Sequence, residues 1–408
     1  MKKIYLDNAA TTQVDPKVLD AMVPYFSEKF GNPSSQHSIG QEIDDVLVEC
    51  RGVIGDKIGA KGEEIIFTGS GTEANNFVLK GLFFANFKNG SGKNHIITTK
   101  IEHDCILNTC KWLEKQGARV SYLNVDSEGF VDLEELNSLI DDETLVVSVI
   151  HGNNEVGVIQ DLEAIGKICK EKGVYFHSDA CQSFTKVDLN VGKMNLDFLT
   201  LNAHKIHGPK GVGVLYVSSK LKGKIEPLLH GGGQEFGLRS STENVSGIVG
   251  FAKAVEVVKV EDSKNRKLNS LTQKNKGSVH CFSDVDKMTK LRDRLIKGLL
   301  EIENVRLNGA VGDDRLCNNV NISFNNIEGE AISGFLDLKG VACSTGSACS
   351  SNTLEPSHVL KAMGLKSGII NTTIRMSISK YNTPREIDYV LKVLPGIVNK
   401  LREMSPLK

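Results

Sequence analysis

A lysine in a turn between two strand-like runs is the residue of this sequence best suited to covalent chemistry. Lys205 stands in a Gly- and Pro-rich stretch at 201–211, after the apolar run 198–201 and before the run 212–217. A lysine amine that is held at a strand end and removed from water has a lowered pKa and can form a Schiff base with a carbonyl group. A solvated loop lysine is the more common alternative, so the interpretation needs support from other residues.

Asp179 provides that support from a second strand end. It follows the apolar run 174–177, where an unpaired carboxylate would be costly. A protonated pyridine nitrogen would suit it, because an aspartate opposite that nitrogen keeps the ring an electron sink. The alternative, a helix cap for the residues from Ala180 onward, stays open. Together, Asp179 and Lys205 match the pyridinium partner and the Schiff-base lysine of enzymes that use pyridoxal 5′-phosphate (PLP).

A third element is a turn that could bind the phosphate. Ser70-x-x-Glu73 is a capping-box signature after the run 65–68, and it predicts a helix that starts near Gly71 and Thr72. Free backbone N–H groups, the helix dipole and the Thr72 hydroxyl would favour an anion there. The turn lacks the Gly-Lys-Ser/Thr of a nucleotide-binding loop.

Strand and helix patterns alternate through the first two thirds of the chain. The predicted strands are 65–68, 96–99, 120–125, 145–150, 174–177, 198–201 and 212–217. This alternation predicts an α/β fold with a mainly parallel seven-stranded sheet and a ligand crevice at the carboxyl ends of its strands. Polar residues collect just past those ends, at 102–103, 151–155, 178–182 and 204–205.

Composition limits the function classes. The 408 residues are 40% hydrophobic and 24% charged, with a net charge of −1, which argues against nucleic acid or an anionic membrane as the main partner. We find no signal peptide or run long enough to span a bilayer, and we expect a cytoplasmic protein. Nine cysteines without a Cys-x-x-Cys pair fit neither a disulfide framework nor a zinc ribbon, and no metal site is expected.

The combination of motifs resembles the cysteine desulfurases of the nitrogen-fixation and iron–sulfur cluster type, which are fold-type I, class-V aminotransferase-like PLP enzymes. The resemblance covers nearly the whole chain. The matching stretches are 5–12, 30–35, 102–103, 153–157, 179–182, 204–211, 231–235, 239–242, 346–349 and 375–379. It implies a large PLP-binding domain at 15–260 and a smaller α/β domain formed by 1–14 and 261–408.

The resemblance also implies a role for each matching residue. Lys205 would carry the cofactor and move the substrate's α proton, Asp179 would pair with the pyridine nitrogen, and His103 would stack on the ring. The remaining cofactor contacts would be Gly71, Thr72, Asn154, Gln182, Asn202, His204 and, from a partner subunit, Thr242. Asn154 and Arg375 would bind the substrate carboxylate, for which a guanidinium is well matched, and Asn32 is a further substrate-binding candidate.

Cys349 lies in a small, polar stretch at 343–353 without an apolar period, which we expect to be an exposed loop. An exposed thiolate is a nucleophile. The resemblance implies that Cys349 takes sulfur from L-cysteine as a persulfide and that L-alanine is released. A homodimer and a sulfur acceptor such as an iron–sulfur cluster scaffold protein would be its partners. Cys343, in the same stretch, is interpreted as a bystander.

Two features depart from the family pattern. Asn202 stands where the family often has a serine, and an amide can also donate to phosphate. The polar stretch 261–287 is longer than the usual helix at this point, and we interpret it as a solvated surface loop.

Two alternative functions remain. A selenocysteine lyase or another PLP-dependent lyase of the same fold would share Lys205 and Asp179 without needing Cys349. A more distant alternative is a protein without PLP in which His204 and His207 bind a metal.

Overall fold

The computed structural model describes residues 3–90, 92–258, 283–345 and 356–405. Cys349 and most of the polar stretch 261–287 lie outside these ranges. The polar stretch was predicted to extend to Lys287, but its last residues belong to a helix that Ser283 caps and that begins at Asp284.

Strands occur in both halves of the described chain. They are β1 (Ile4–Tyr5), β2 (Ile65–Thr68), β3 (His95–Thr99), β4 (Arg119–Leu123), β5 (Thr144–Ser148), β6 (Tyr175–Asp179), β7 (Phe198–Asn202), β8 (Gly213–Val217), β9 (Val305–Leu307), β10 (Asn319–Phe324), β11 (Val341–Ala342), β12 (Ser344–Thr345) and β13 (Thr373–Ser377).

Helices separate most of these strands. They are α1 (Pro16–Met22), α2 (Pro24–Ser27), α3 (Ser38–Ile58), α4 (Gly71–Lys88), α5 (Asp104–Glu114), α6 (Leu133–Leu139), α7 (Leu162–Lys172), α8 (Val245–Glu256), α9 (Asp284–Leu299), α10 (Gly329–Leu338), α11 (His358–Ala362), α12 (Ser367–Ile370) and α13 (Pro384–Met404).

The larger sheet has seven strands in the order β2-β8-β7-β6-β5-β3-β4. Its pairs are parallel except those of β8, which runs antiparallel to both β2 and β7. The prediction of a mainly parallel seven-stranded sheet is therefore confirmed. Strands β2, β3, β5, β7 and β8 are buried along their whole length, as expected for a sheet covered by helices on both faces.

A smaller sheet forms in the C-terminal part of the chain, with the antiparallel order β12-β13-β10-β9. The N-terminal strand β1 pairs with β11, and Ile4 and Leu6 belong to the same apolar core as residues of α9, β10 and α13. This confirms a second α/β unit, while the boundaries 15–260, 1–14 and 261–408 remain a prediction.

Across the described ranges, every helix is too short or too polar to cross a lipid bilayer.

Candidate active site

Strands β6 and β7 are parallel neighbours in the middle of the larger sheet, and their carboxyl ends carry the two predicted key residues. Asp179 is the last residue of β6 and is in register with Thr200 of β7. Lys205 follows the end of β7 by three residues. Because neighbouring parallel strands end at the same edge of the sheet, Asp179 and Lys205 both lie at that edge.

Asp179 is buried, with 5% of its surface exposed, and both of its oxygens accept hydrogen bonds. The side chain of Asn75 donates to Oδ2 at 2.6 Å, and the backbone N–H of Cys181 donates to Oδ1 at 2.9 Å. The second bond closes a local turn and does not cap a helix, because residues 181–186 form turns, so the helix-cap alternative is wrong. The first links the end of β6 to helix α4, because Asn75 lies in the second turn of that helix.

Sequence reasoning missed Asn75. It is completely buried, and its Oδ1 has no hydrogen-bond partner among the described residues. The signal was an amide placed among the apolar positions Ala74, Phe77 and Val78 of a predicted helix. A buried amide of this kind needs a partner.

Helix α4 begins at Gly71, as predicted, and Ser70 caps it by accepting the N–H of Glu73 at 3.1 Å. The reciprocal half of the capping box does not form. Instead the Glu73 carboxylate accepts from the N–H of Gly69 at 2.8 Å and from Arg239 Nε at 2.8 Å. This Arg239 contact connects the helix start to the segment that carries Thr242.

The space around Gly71 is tight. A Cβ atom on this residue would lie 2.6 Å from Cys181 Sγ and 3.7 Å from Asn202 Nδ2. Asn202 is buried, and its Oδ1 lacks a hydrogen-bond partner among the described residues. Helix α4 therefore starts within a few ångströms of the residues that follow β6 and end β7, with buried polar groups that a ligand can satisfy.

His103 is fixed by helix α5. Its Nδ1 accepts the backbone N–H of Cys105 at 3.2 Å and lies 3.1 Å from Cys105 Sγ. Burial lowers the pKa of His103, and the charges of Asp179 and Lys205 act on the same imidazole in opposite directions. A neutral ring with Nδ1 as acceptor presents Nε2–H on its other side.

Cys105 packs against the apolar core beneath helices α4 and α5 and also lies beside His103. Asn75 Nδ2 donates to its sulfur at 3.2 Å. Burial raises the pKa of this thiol to about 12. Cys105 is therefore a neutral neighbour of His103, and it is a poor nucleophile.

The Lys205 turn is held by residues far away in sequence. The carbonyl of His204 accepts from Thr12 N and Oγ1, both at 2.9 Å, and His204 Nδ1 lies 3.2 Å from Thr11 Oγ1. Lys186 Nζ donates to the carbonyls of Gln182 at 2.8 Å and Lys205 at 3.3 Å.

Lys186 was not predicted to belong to the site. Burial lowers its pKa to about 8. Both Lys186 and Lys205 line the same cleft, together with Asn8, Thr12 and Asn318. Lys186 thus joins the two segments that carry Gln182 and Lys205.

His204 and His207, the candidate metal ligands, have separate partners. His207 Nδ1 lies 2.9 Å from the carbonyl of Gln13, whereas His204 Nδ1 faces Thr11. Within the described ranges, no cluster of three His, Cys, Asp or Glu side chains is arranged to bind a metal ion.

Arg375 lies on β13 of the smaller sheet, with 1% of its surface exposed. Its Nη1 donates to the carbonyl of Asn154 at 3.0 Å, and its Nη2 contacts Asp7 Oδ1 at 3.0 Å. Its Nε has no hydrogen-bond partner among the described residues. Asn154 and Arg375 are therefore brought together, although Asn154 contributes its backbone to this contact.

The remaining predicted site residues differ in how far they are buried and in what they contact. Gln182 is buried and donates to the carbonyl of Ala9 at 2.9 Å. Asn32 is exposed, and its carboxamide oxygen accepts the N–H of Ser34 at 2.9 Å in a local turn. Thr72 and Thr242 are exposed. Cys349 lies outside the described residues, whereas Cys343 is half-buried, and burial raises its thiol pKa to about 11.

The residues present fit PLP. An acidic side chain at a strand end, a lysine past the neighbouring strand, a histidine close to both charges and a helix N-terminus that begins with glycine are the groups that a phosphorylated, protonated pyridine aldehyde requires. The buried polar atoms of Asn202 and Arg375 that lack described partners lie on the two sheets that contribute to this site.

Comparisons with known proteins agree with this geometry. Residues 4–390 match the aminotransferase class-V family. The chain is 46% identical over 408 residues to cysteine desulfurase IscS of Clostridium botulinum, covering 100% of this chain and 97% of that protein. A solved structure described as a NifS-like protein has a TM-score of 0.85 and 38% identity, covering 98% of this chain and 100% of the other. A structure described as SspA in complex with cysteine has a TM-score of 0.77 and 34% identity, with coverage of 93% and 100%.

Proposed function

This chain belongs to the class-V aminotransferase family and, within it, to the cysteine desulfurases, which use PLP, and we propose that Lys205, Asp179 and Cys349 carry out its reaction. The substrate is L-cysteine, the carbon product is L-alanine, and the sulfur passes to Cys349. The single observation that supports this most is the placement of Asp179 and Lys205 past the ends of the neighbouring parallel strands β6 and β7.

Several groups would hold the cofactor. The N-terminus of α4, at Gly71 and Thr72, would bind the phosphate together with Asn202 and His204. Asp179, oriented by Asn75, would face the pyridine nitrogen, and Lys205 would bind the aldehyde carbon. Once bound, the protonated ring would supply an electron sink for bond breaking at the substrate carbons.

The chain's own residues then bind substrate and move protons. Arg375 and Asn154 would receive the substrate carboxylate, since Arg375 is buried and has an Nε donor without a partner among the described residues. Lys205 would take the α proton and return it to the product. His103, held neutral by burial, would present Nε2–H beside the reacting atoms.

Cys349 would complete the transfer. Its thiolate attacks the substrate sulfur, a sulfur–sulfur bond forms and the carbon–sulfur bond breaks. The carbon keeps the bonding electron pair and takes up a proton, so the products are L-alanine and a persulfide on Cys349. Atoms and electrons balance without an external oxidant or reductant.

The partners follow from the same proposal. A homodimer would let Thr242 of one subunit reach the phosphate bound by the other. Persulfide sulfur would then pass to an acceptor protein such as an iron–sulfur cluster scaffold. The assignment to such a scaffold rests on the family resemblance and on the cysteine desulfurase relatives.

Peptide mass spectrometry after incubation of the PLP-loaded protein with L-cysteine tests the proposal. We expect the peptide that contains Cys349 to gain the mass of one sulfur atom and L-alanine to accumulate. A Cys349→Ala variant should form neither sulfide nor persulfide.

Other outcomes would change the assignment. A sulfur gain on another cysteine, with Cys349 unmodified, would contradict the role of Cys349. Retained selenide release from selenocysteine by Cys349→Ala, with sulfide release from cysteine lost, would favour the selenocysteine lyase alternative.

A further inference from the structure

Glu102, the residue before His103, carries a completely buried carboxyl group that has no role in the reaction proposed above. Its Oε1 accepts from the Thr99 hydroxyl and from the backbone N–H of Ile150, both at 2.8 Å. Its Oε2 has no hydrogen-bond partner among the described residues. An ionised oxygen in such a place would be costly, so this glutamate calls for an explanation beyond filling space.

The turn at 100–103, between β3 and α5, carries His103 and is hydrogen-bonded to the segment that follows β5. The Glu102 side chain makes one of these bonds, because its backbone partner lies two residues past the end of β5. Asn153, further along the same segment, makes another by donating from its side-chain amide to the carbonyl of Ile101 at 2.8 Å. The backbone position of His103 is therefore set relative to the segment after β5.

The surroundings of Glu102 favour its neutral form. Burial raises the pKa of this carboxyl group to about 8, the Asp179 carboxylate at the end of β6 acts in the same direction, and the hydrogen bonds to Oε1 offset only part of the shift. Cys105 and Cys110 of α5 interact with the same group, and burial raises both thiol pKa values. From α11, His358 Nε2 donates to the backbone carbonyl of Glu102 at 2.9 Å.

We propose that Glu102 is a positioning residue for His103 and that it does this as a neutral carboxylic acid. In this form Oε1 holds the His103 turn against the segment after β5, and Asp179 remains the carboxylate available to a cationic ring. The inference rests on the proposed function of His103. Glu102 acts through that histidine and is not itself a catalytic residue.

Infrared spectroscopy of the apoprotein tests the protonation state. Glutamine has nearly the shape of neutral glutamic acid, and its carboxamide oxygen can accept the same two bonds, so Glu102→Gln is the matched comparison. At pH 6.5, below the raised pKa, the difference spectrum between wild type and this variant should contain the carbonyl stretch of a protonated carboxyl group. A carboxylate signal in its place would overturn the proposal.

NMR of the histidine ring nitrogens in the apoprotein tests the effect on His103 directly. Glu102→Leu removes the acceptor, so the turn loses its bond to Ile150. We expect the His103 signals to shift in Glu102→Leu and to stay close to wild type in Glu102→Gln. Unchanged His103 signals in Glu102→Leu would contradict the positioning role.

The rate of L-alanine formation by the PLP-loaded protein gives a third comparison. Glu102→Gln should stay within about 3-fold of wild type, whereas Glu102→Leu should be slower by roughly 10-fold or more, because a misplaced group loses much of its contribution to the rate. In a His103→Ala background, Glu102→Leu should slow the reaction little further, since both changes remove one contribution.

Two kinetic outcomes would refute the proposal. One is equal slowing by Glu102→Leu with and without His103, and the other is an equal loss of rate in Glu102→Gln and Glu102→Leu. If Glu102→Leu fails to fold, the infrared spectrum and the rate of Glu102→Gln still decide, and a loss of 10-fold or more in Glu102→Gln would refute it.

Glu64→Leu is the matched control. Glu64 is also a buried glutamate that accepts a backbone N–H, that of Ser219 at 2.9 Å. It lies just before β2, which runs in the same direction as β7, so it is at the sheet edge opposite the site. This variant should lower thermal stability but leave the His103 signals and the rate near wild type.

The control also separates a local effect from a general one. If both leucine variants shift the His103 signals and slow the reaction alike, the effect belongs to any buried glutamate and the proposal fails. If the wild-type protein forms no L-alanine, the proposed function fails instead, whereas the infrared and NMR tests of Glu102 still apply.

Discussion

Asp179 and Asn75 illustrate what single residues contribute to this site. The carboxylate could be predicted from a strand ending in an acidic residue, but its amide partner lies 104 residues away and becomes adjacent only in the folded chain. The surroundings of Cys105 show the same limit. An apolar helical context is typical of core thiols, and nothing in the sequence reveals that His103 and Asn75 converge on this sulfur.

Asp179→Asn should reduce the rate of L-alanine formation by roughly 100-fold or more, equivalent to about 2.7 kcal/mol of activation free energy. The neutral amide has nearly the same shape but cannot stabilise a proton on the pyridine nitrogen. Steady-state kinetics at saturating PLP provide the measurement. Asp188→Asn, at an exposed position, is the control and should stay near wild type. Equal rates for wild type and Asp179→Asn would contradict the assigned role.

Thiol labelling provides a second prediction about single residues. Burial raises the pKa of every cysteine in the described ranges, including those of Cys317 and Cys343, each to about 11. At pH 8, only about one in a thousand such thiols is ionised. Iodoacetamide should therefore react first with the two cysteines outside these ranges, Cys281 and Cys349, in the native protein. Peptide mapping over time measures the labelling of each cysteine. Rapid labelling of Cys105 or Cys343 would contradict this account.

Whole elements were predicted more accurately than side-chain contacts. Apolar runs located all seven strands of the larger sheet to within a few residues, because a strand buried on both faces has an almost continuous apolar sequence. Strands β9, β11 and β12 were not predicted, since two or three residues are too few to show a period. The start of α4 was found from its cap, but the Glu73 contact depends on Arg239, which is distant in sequence.

Helix α4 should couple phosphate binding to Asp179 through Asn75. Asn75→Ala removes a hydrogen bond to a charged group, a contact worth about 1.5–3 kcal/mol, so we expect PLP affinity to fall by roughly 10- to 100-fold. Fluorescence or absorbance titration of the apoprotein with PLP measures this. Asn86→Ala, in the last part of the same helix, should change the affinity little. A similar loss in both variants would indicate a general effect on the helix.

At the scale of the whole molecule, the two sheets meet at the site. The smaller sheet brings Arg375 to the carbonyl of Asn154, and Asp7 reaches the same guanidinium from the N-terminal segment. The contact between Asp7 and Arg375 joins residues separated by 368 positions. Sequence patterns alone do not specify such long-range pairs. The domain boundaries 15–260, 1–14 and 261–408 remain a prediction.

Stability of the whole molecule should fall in mild acid. His151 and His177 are buried, and burial lowers the pKa of each to about 4, below the ordinary 6.5. Below pH 6.5 these two rings therefore bind more protons in the unfolded chain than in the folded one. The stability that these neutral rings provide is complete above pH 6.5 and is lost as pH falls toward 4. Each ring contributes at most about 1.4 kcal/mol per pH unit in this range.

Thermal unfolding midpoints at pH 7.5, 6.0 and 5.0 test this expectation. His177→Gln should lose less of its midpoint between pH 7.5 and 5.0 than wild type does. His230→Gln, at a ring that is 70% exposed, should behave as wild type. Identical pH profiles for the His177 and His230 variants would refute the buried-histidine explanation.

The central claim is that Lys205, which follows the end of β7, is the lysine that binds PLP. Borohydride reduction of the PLP-loaded protein, followed by peptide mapping, tests it most directly. The account predicts a reduced pyridoxyl group on Lys205 and none on Lys186, whose amine is 3.3 Å from the Lys205 carbonyl. Modification of Lys186, or of no lysine at all, would contradict it.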